Sequence, residues 1–284
     1  MAEAEARTAD ESAAVSGGGA ERELVRYEAA EGVAVLTLDD PPANTYTYEM
    51  MQQLDRAVLR ARMDDAVGVV VITGGGEKFF CAGANIRMLT EMTPSFKYYF
   101  CLHANETLSR LEQTPKLVIA AMNGHCVGGG LEVALAADLR VARKGAGKMG
   151  LPEVSLGVLP GTGGTQRLVR VVGKSRAIEL MAAGELFDFE RGAELGLVDH
   201  VFESDTADGF REKVLAYARQ FTAPHKAALA VGRIKRSVQS GAEIPFEYGL
   251  ALERELQQQL FQSEDAREGL SAYVEKRKPV FKGK

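Results

Sequence analysis

The chain has 284 residues, 46% of them apolar and 26% charged, with a formal net charge of −5. This length and composition support one large buried core with room for a smaller appendage, and the acidic balance argues against general nucleic-acid binding. No apolar run reaches the length of a membrane span, and the three cysteines, Cys81, Cys101 and Cys126, form no Cys-x-x-Cys pair, which fits a reduced, cytoplasmic setting.

Residues 1–20 are rich in Ala, Glu, Ser and Gly, without the basic start and apolar centre of a secretory signal, and read as a disordered tail. Strands are expected at Leu24–Glu28 and Val33–Leu38, joined by a turn at Glu31-Gly32 and stopped by Pro41-Pro42. A helix follows over 47–63, with Met50, Leu54, Val58 and Leu59 on one face. Val67–Thr73 and Leu117–Met122 are short apolar runs, the pattern of strands buried on both faces. Between them lies a helix over 94–112. A glycine turn at Gly128–Gly130 leads into a helix to about Ala137, and strands are read at Leu139–Ala142 and Met149–Leu151. Strands and helices alternate to residue 172, which favours a repeated strand–strand–helix unit over separate domains. Beyond residue 174 the pattern is almost wholly helical, with candidates at 174–183, 188–195, 206–221, 224–239, 244–262 and 264–276. The expected organisation is a tail (1–20), an α/β core (21–203) and a helical C-terminal region (204–284).

Three motif near-misses drop out. Leu168–Ser175 lacks the first glycine of a phosphate loop. Gly161–Gln166 lacks the last glycine of a dinucleotide fingerprint and does not follow the first strand. Ser155 has Glu153, not glycine, two residues before it, so it is no hydrolase elbow. The histidines at 103, 125, 200 and 225 show no metal-ligand spacing, so no metal site is expected. Cys126 has no ordered partner for nucleophilic work and reads as a structural thiol. The basic cluster Lys276-Arg277-Lys278, Lys282 and Lys284 is either a solvated helix end or a phosphate contact.

Two carboxylates carry the chemical signal. Glu132 follows the Gly128–Gly130 turn on an otherwise apolar helix, and Glu153 follows in Leu151-Pro152-Glu153-Val154. Taken singly, each also fits a solvent-facing acid. Glycines in the turn let the backbone approach a ligand, and a second turn at Cys81–Ala84 offers another donor. Two acids beside two backbone donors suit acid–base chemistry next to a thioester carbonyl.

At these residues the chain resembles the enoyl-CoA hydratase/isomerase, or crotonase, superfamily. The resemblance runs from about residue 22 to 284 and rests on Phe79–Ile86, Asn123–Glu132 and Pro152–Leu168. It implies an α/β crotonase-like spiral of β-β-α repeats whose helical C-terminus forms trimers, often paired into hexamers. It further implies that the backbone N–H groups of Ala84 and Gly129 form an oxyanion hole and that Glu132 and Glu153 are the catalytic acids. Gly161 is implied near the catalytic water, and Ala43, Ala82, Ala84, Asn85, Ile86, Arg87 and Gly129 along the acyl-CoA. Asn85 stands where the family commonly has Asp, and Pro41-Pro42-Ala43 lacks a basic residue often found there; Arg87 or the C-terminal basic segment then supplies phosphate contacts. The expected activity is hydration of a 2-enoyl-CoA, with Glu132 chiefly activating water and Glu153 chiefly protonating Cα. Coenzyme A arrives with the substrate, and no separate cofactor, nucleic acid or membrane is expected. A double-bond isomerase, or a non-catalytic acyl-CoA or RNA binder on the same fold, is the alternative. Met88, Met92, Phe96 and Phe100 are either acyl-pocket residues or core.

Overall fold

The computed structural model describes residues 22–284, so the expected N-terminal tail lies outside it. β1 (Val25–Ala30) pairs antiparallel with β2 (Val33–Leu38) through the Glu31-Gly32 turn. α1 (Tyr48–Met63) starts where the Thr47 hydroxyl accepts from the Met50 N–H, a side-chain cap for an otherwise orphaned donor. Next come β3 (Val69–Gly74), β4 (Phe79–Cys81), α2 (Ile86–Glu91) and α3 (Pro94–Glu112). β5 (Leu117–Met122), β6 (His125–Val127) and α4 (Gly129–Leu135) follow. β7 (Leu139–Arg143) and β8 (Lys148–Gly150) lead through a 3-10 turn, Glu153–Leu156, to α5 (Gly164–Val172) and α6 (Lys174–Ala183). β9 (Phe187–Asp188), α7 (Phe189–Glu194) and β10 (His200–Phe202) precede the C-terminal helices α8 (Ala207–Arg219), α9 (Ala228–Gly241), α10 (Phe246–Phe261) and α11 (Glu264–Val274).

The strands sort into two sheets, ordered β1-β2-β3-β5-β7-β10 and β4-β6-β8-β9. Three times, one strand of the large sheet is followed by one of the small sheet: β3 then β4, β5 then β6, β7 then β8. This is the expected β-β-α repeat, with β3, β5 and β7 parallel neighbours and β4, β6 and β8 likewise. The strands of the small sheet have two or three residues each, too few to show a period of two, and the sequence reading had placed only the third of them.

The inner strands of the large sheet, β2, β3, β5 and β7, are buried on both faces, which explains their apolar runs. One face, including Leu36, Ile72, Val118 and Met122, joins the main core. The other, with Val33, Val35, Val69, Val71, Ile119 and Val141, packs on Phe210, Val214 and Ala218 of α8. α8 thus serves the α/β core although it lies beyond residue 204. α9 is tied to the sheet by a buried ion pair, Lys235 Nζ to Asp138 Oδ2 at 2.8 Å, with a further bond to the Lys116 carbonyl at 3.1 Å.

The C-terminal basic segment is partly engaged. Arg277 pairs with Glu268 and Glu275, each at 2.6 Å, and the Asp265 carboxylate accepts from the Lys282 and Gly283 N–H groups at 2.7 and 2.9 Å. Among the described residues no helix is long and apolar enough to cross a membrane.

Candidate active site

The site is built where the two sheets' connections meet. Loop residue Tyr46 forms a parallel bridge with Ala84: the Tyr46 N–H donates to the Gly83 carbonyl at 3.0 Å, and the Asn85 N–H donates to the Tyr46 carbonyl at 3.1 Å. Because backbone direction alternates along an extended segment, the intervening Ala84 N–H points away from Tyr46. Gly83 has φ +89, and a Cβ there would lie 3.0 Å from the Gly129 nitrogen. The glycine is therefore what lets the Gly83-Ala84 turn approach the start of α4 so closely. Gly129 opens α4, so its N–H has no acceptor within the helix.

Gly128 has φ +57, and a Cβ on it would sit 3.0 Å from Glu153 Oε1. The same turn thus presents the amide of residue 129 and makes room for the second carboxylate. Its position is locked by Gly128 N–H donation to the Gly150 carbonyl at 2.8 Å, joining β6 to the end of β8.

The two glutamates have unlike surroundings. Glu132 is 2% exposed, yet its carboxylate is well supplied with donors. Oε1 accepts the N–H groups of Thr162 and Gly164, both at 2.7 Å, and Oε2 accepts the Thr162 hydroxyl. Thr162 in turn lies 3.0 Å from the Tyr46 hydroxyl. Glu153 is half-buried at the start of the 3-10 turn, and its Oε2 is buried without a partner. Burial pushes its pKa up to about 7; its own backbone N–H opposes the shift and the charge of Glu132 adds to it.

Both carboxylates open onto one cavity of about 300 Å³, whose lining includes Ala84, Gly129, Glu132, Glu153 and Gly161. Of the other residues expected along the ligand, Ala82 and Ile86 line the cavity, whereas Ala43, Asn85 and Arg87 are not part of its wall. Ala43 supports it from behind, its carbonyl accepting the Ala82 N–H at 3.0 Å. Asn85 caps α2, its Oδ1 accepting the Met88 N–H at 3.2 Å. Arg87 is exposed on the first turn of α2. Phe100 lines the cavity. Met88 and Met92 instead pack against the core, and Phe96 stacks edge-on against Tyr48.

Among the cavity residues that sequence reasoning missed are Tyr46, Thr162 and Lys97. Lys97 carries a cation into an otherwise largely apolar wall, 5.5 Å from the Phe100 ring centroid. The glycine run 161–166, set aside as a nucleotide loop, turns two N–H groups on Glu132 instead. The cysteines are free; burial pushes the Cys81 thiol up to about 12 and Cys126 well above its ordinary value. Neither buried thiol is activated for nucleophilic attack.

Comparisons with known proteins agree with this architecture. The family model described as enoyl-CoA hydratase/isomerase matches residues 28–284. The 2,3-dehydroadipyl-CoA hydratase of Escherichia coli is 38% identical over 259 residues, covering 89% of this chain and 96% of its own. The short-chain-enoyl-CoA hydratase of Clostridium acetobutylicum is 35% identical over 251 residues, covering 87% of this chain and 92% of its own. A crystal structure of an enoyl-CoA hydratase from Geobacillus kaustophilus superposes with a TM-score of 0.89 at 43% identity, covering 93% of this chain and 98% of that one. With sequence, fold and cavity pointing the same way over nearly the whole length, the chain belongs to the enoyl-CoA hydratase/isomerase family.

Proposed function

We propose that this protein is a hydro-lyase that reversibly adds water to a 2-enoyl-CoA, giving a 3-hydroxyacyl-CoA. The observation that carries this reading is the pair of unlike carboxylates on one cavity wall that also includes Ala84 and Gly129. The thioester oxygen is held by the N–H groups of Ala84 and Gly129. Each such donor is typically worth about 2.7–4 kcal/mol as charge develops on the oxygen. Glu132, acceptor to three donors, takes a proton from water as the water oxygen bonds to Cβ. Glu153, protonated up to about pH 7, gives its proton to Cα. Water is thereby added across the double bond, and proton exchange resets the two acids. These groups complete the acid–base chemistry with coenzyme A supplied by the substrate.

The double-bond isomerase reading needs one acid–base group; two on one cavity favour hydration. Incubation with crotonyl-CoA tests this directly. Loss of enoyl absorbance with incorporation of water is the expected result. No reaction there, with turnover of a 3-enoyl-CoA, would replace hydration by isomerisation; binding without turnover of either would leave a binding role.

The protein is further proposed to assemble as a trimer or a pair of trimers in a reduced, cytoplasmic setting. Large apolar side chains on α9 and α10 support the assembly: Ile234, Val238, Phe246 and Phe261 are each more than 60% exposed in the single chain, a burden for a monomer. Light scattering should give three or six times the chain mass; a monomer at working concentration would overturn this.

A further inference from the structure

We propose that Tyr46 and Thr162 are positioning residues for Glu132, forming a hydroxyl chain that leaves a single site on its carboxylate open to the proton from water. The inference rests on the reading of Glu132 as the base.

The argument is a count of lone pairs. A carboxylate oxygen accepts about two hydrogen bonds. Both places on Oε1 are taken by the N–H groups of Thr162 and Gly164, and backbone N–H groups only donate. On Oε2 one place is taken by the Thr162 hydroxyl. One place remains, on Oε2, and Glu132 faces the cavity.

The direction of the chain is also fixed. The single hydroxyl proton of Thr162 is committed to Glu132, so the 3.0 Å contact between Tyr46 and Thr162 has Tyr46 as donor. Burial, with the negative Glu132 nearby, pushes the Tyr46 phenol well above its ordinary value, which keeps that proton in place. Tyr46 itself has little freedom. Its ring packs at a tilt against that of Phe100, centroids 5.9 Å apart, it is 4% exposed, and its backbone is hydrogen-bonded on both sides to the turn that carries Ala84. Its hydroxyl also fills the space that a Cβ on residue 129 would need. One residue therefore ties together the Ala84 turn, the Gly129 turn and the base. A misplaced base is costly, because small displacements from the reactive geometry have large effects on rate.

Four variants decide the matter: Thr162→Val, Tyr46→Phe, the two combined, and Thr162→Ser, each assayed for kcat and KM with crotonyl-CoA. Thr162→Val should lower kcat about 10- to 100-fold, the loss of one hydrogen bond to a charged group, with KM within about threefold. Tyr46→Phe, which removes one oxygen and keeps the ring, should lower kcat about 3- to 10-fold. In the combined variant the Tyr46 change should add nothing to the Thr162 loss, because it acts through that hydroxyl. Thr162→Ser should restore kcat to within about threefold of the parent. Unchanged kcat in Thr162→Val or Tyr46→Phe overturns the proposal, as do independent losses that multiply in the combined variant. If Thr162→Val does not fold, Tyr46→Phe and Thr162→Ser still decide it. A Glu132→Gln control keeps the two levels apart. If that control is inactive and the hydroxyl variants are normal, the chain proposal alone fails; if it is active, Glu132 is not the base.

Discussion

The turn that holds Glu132 and the turn that holds Glu153 face the same cavity and treat the same side chain in opposite ways. Around Thr162–Gly164 the backbone and a hydroxyl supply three donors to a nearly inaccessible carboxylate. Around Pro152–Leu156 the carboxyl gets almost none: one oxygen is buried without a partner, and the proton is held to about pH 7. Burial alone therefore does not distinguish the two. The number of donors does, because donors replace the water that an anion loses on burial. In the proposed mechanism a base and an acid are obtained from two glutamates by changing what surrounds them.

The largest test of this contrast removes each charge in turn. Glu132→Gln and Glu153→Gln should each lower hydration kcat by about 10²-fold or more. A folded variant with near-normal turnover would remove that residue from the mechanism. A Gln at 132 can still accept both N–H groups with its oxygen and donate to Thr162, so the site's shape is retained.

A smaller effect concerns pH. In the proposed mechanism Glu153 works in its protonated form during hydration, so kcat/KM should fall as pH rises through about 7. Dehydration of a 3-hydroxyacyl-CoA runs through the same two groups in reverse, with the single proton of the pair now on Glu132, so its kcat/KM should fall over the same range. A hydration profile that stays flat through about pH 7 would erase the proposed division of labour.

The smallest effect is on stability. The folded-state pKa of Glu153 is raised from 4.5 to about 7, so between these values the folded protein binds more protons than the unfolded chain. Its contribution favours folding at low pH and is lost as pH rises from about 4.5 through about 7. Glu153→Gln should then raise Tm by a few degrees at pH 8, tempered by the residue's partial exposure, and leave it unchanged at pH 4. An equal change at both pH values would show that the gain is unrelated to ionisation.

The carboxylates and both glycine turns were legible in the sequence because each is a local pattern: an acid one or two residues from a glycine or proline at a strand end. Long elements such as α1, α3 and β2 were legible from their periodicity or unbroken apolar runs. What stayed hidden depends on contacts between distant segments. The hydroxyls of Tyr46 and Thr162 meet across 116 positions, and neither residue sits in a pattern that marks it for a polar role. β4 and β6, three residues each, are defined by their partners rather than by their own composition. α2 had a readable sign, the capping Asn85, but its six residues carry no buried face to produce a helical stripe. The C-terminal boundary was read from helix content, whereas α8 is placed by what it covers.

That cover has a consequence for synthesis. The valine face formed by residues 33, 35, 69 and 71 is closed by Phe210, Val214 and Ala218, which leave the ribosome much later than the first two strands. At ordinary rates of roughly 5–20 residues per second, the nascent sheet waits many seconds with that face open to water. Its edge also lacks β10 during this interval. A message broken before the codon for Ala207 would release an almost complete cavity on a sheet that has no second side, a product fated for aggregation or degradation rather than for partial activity.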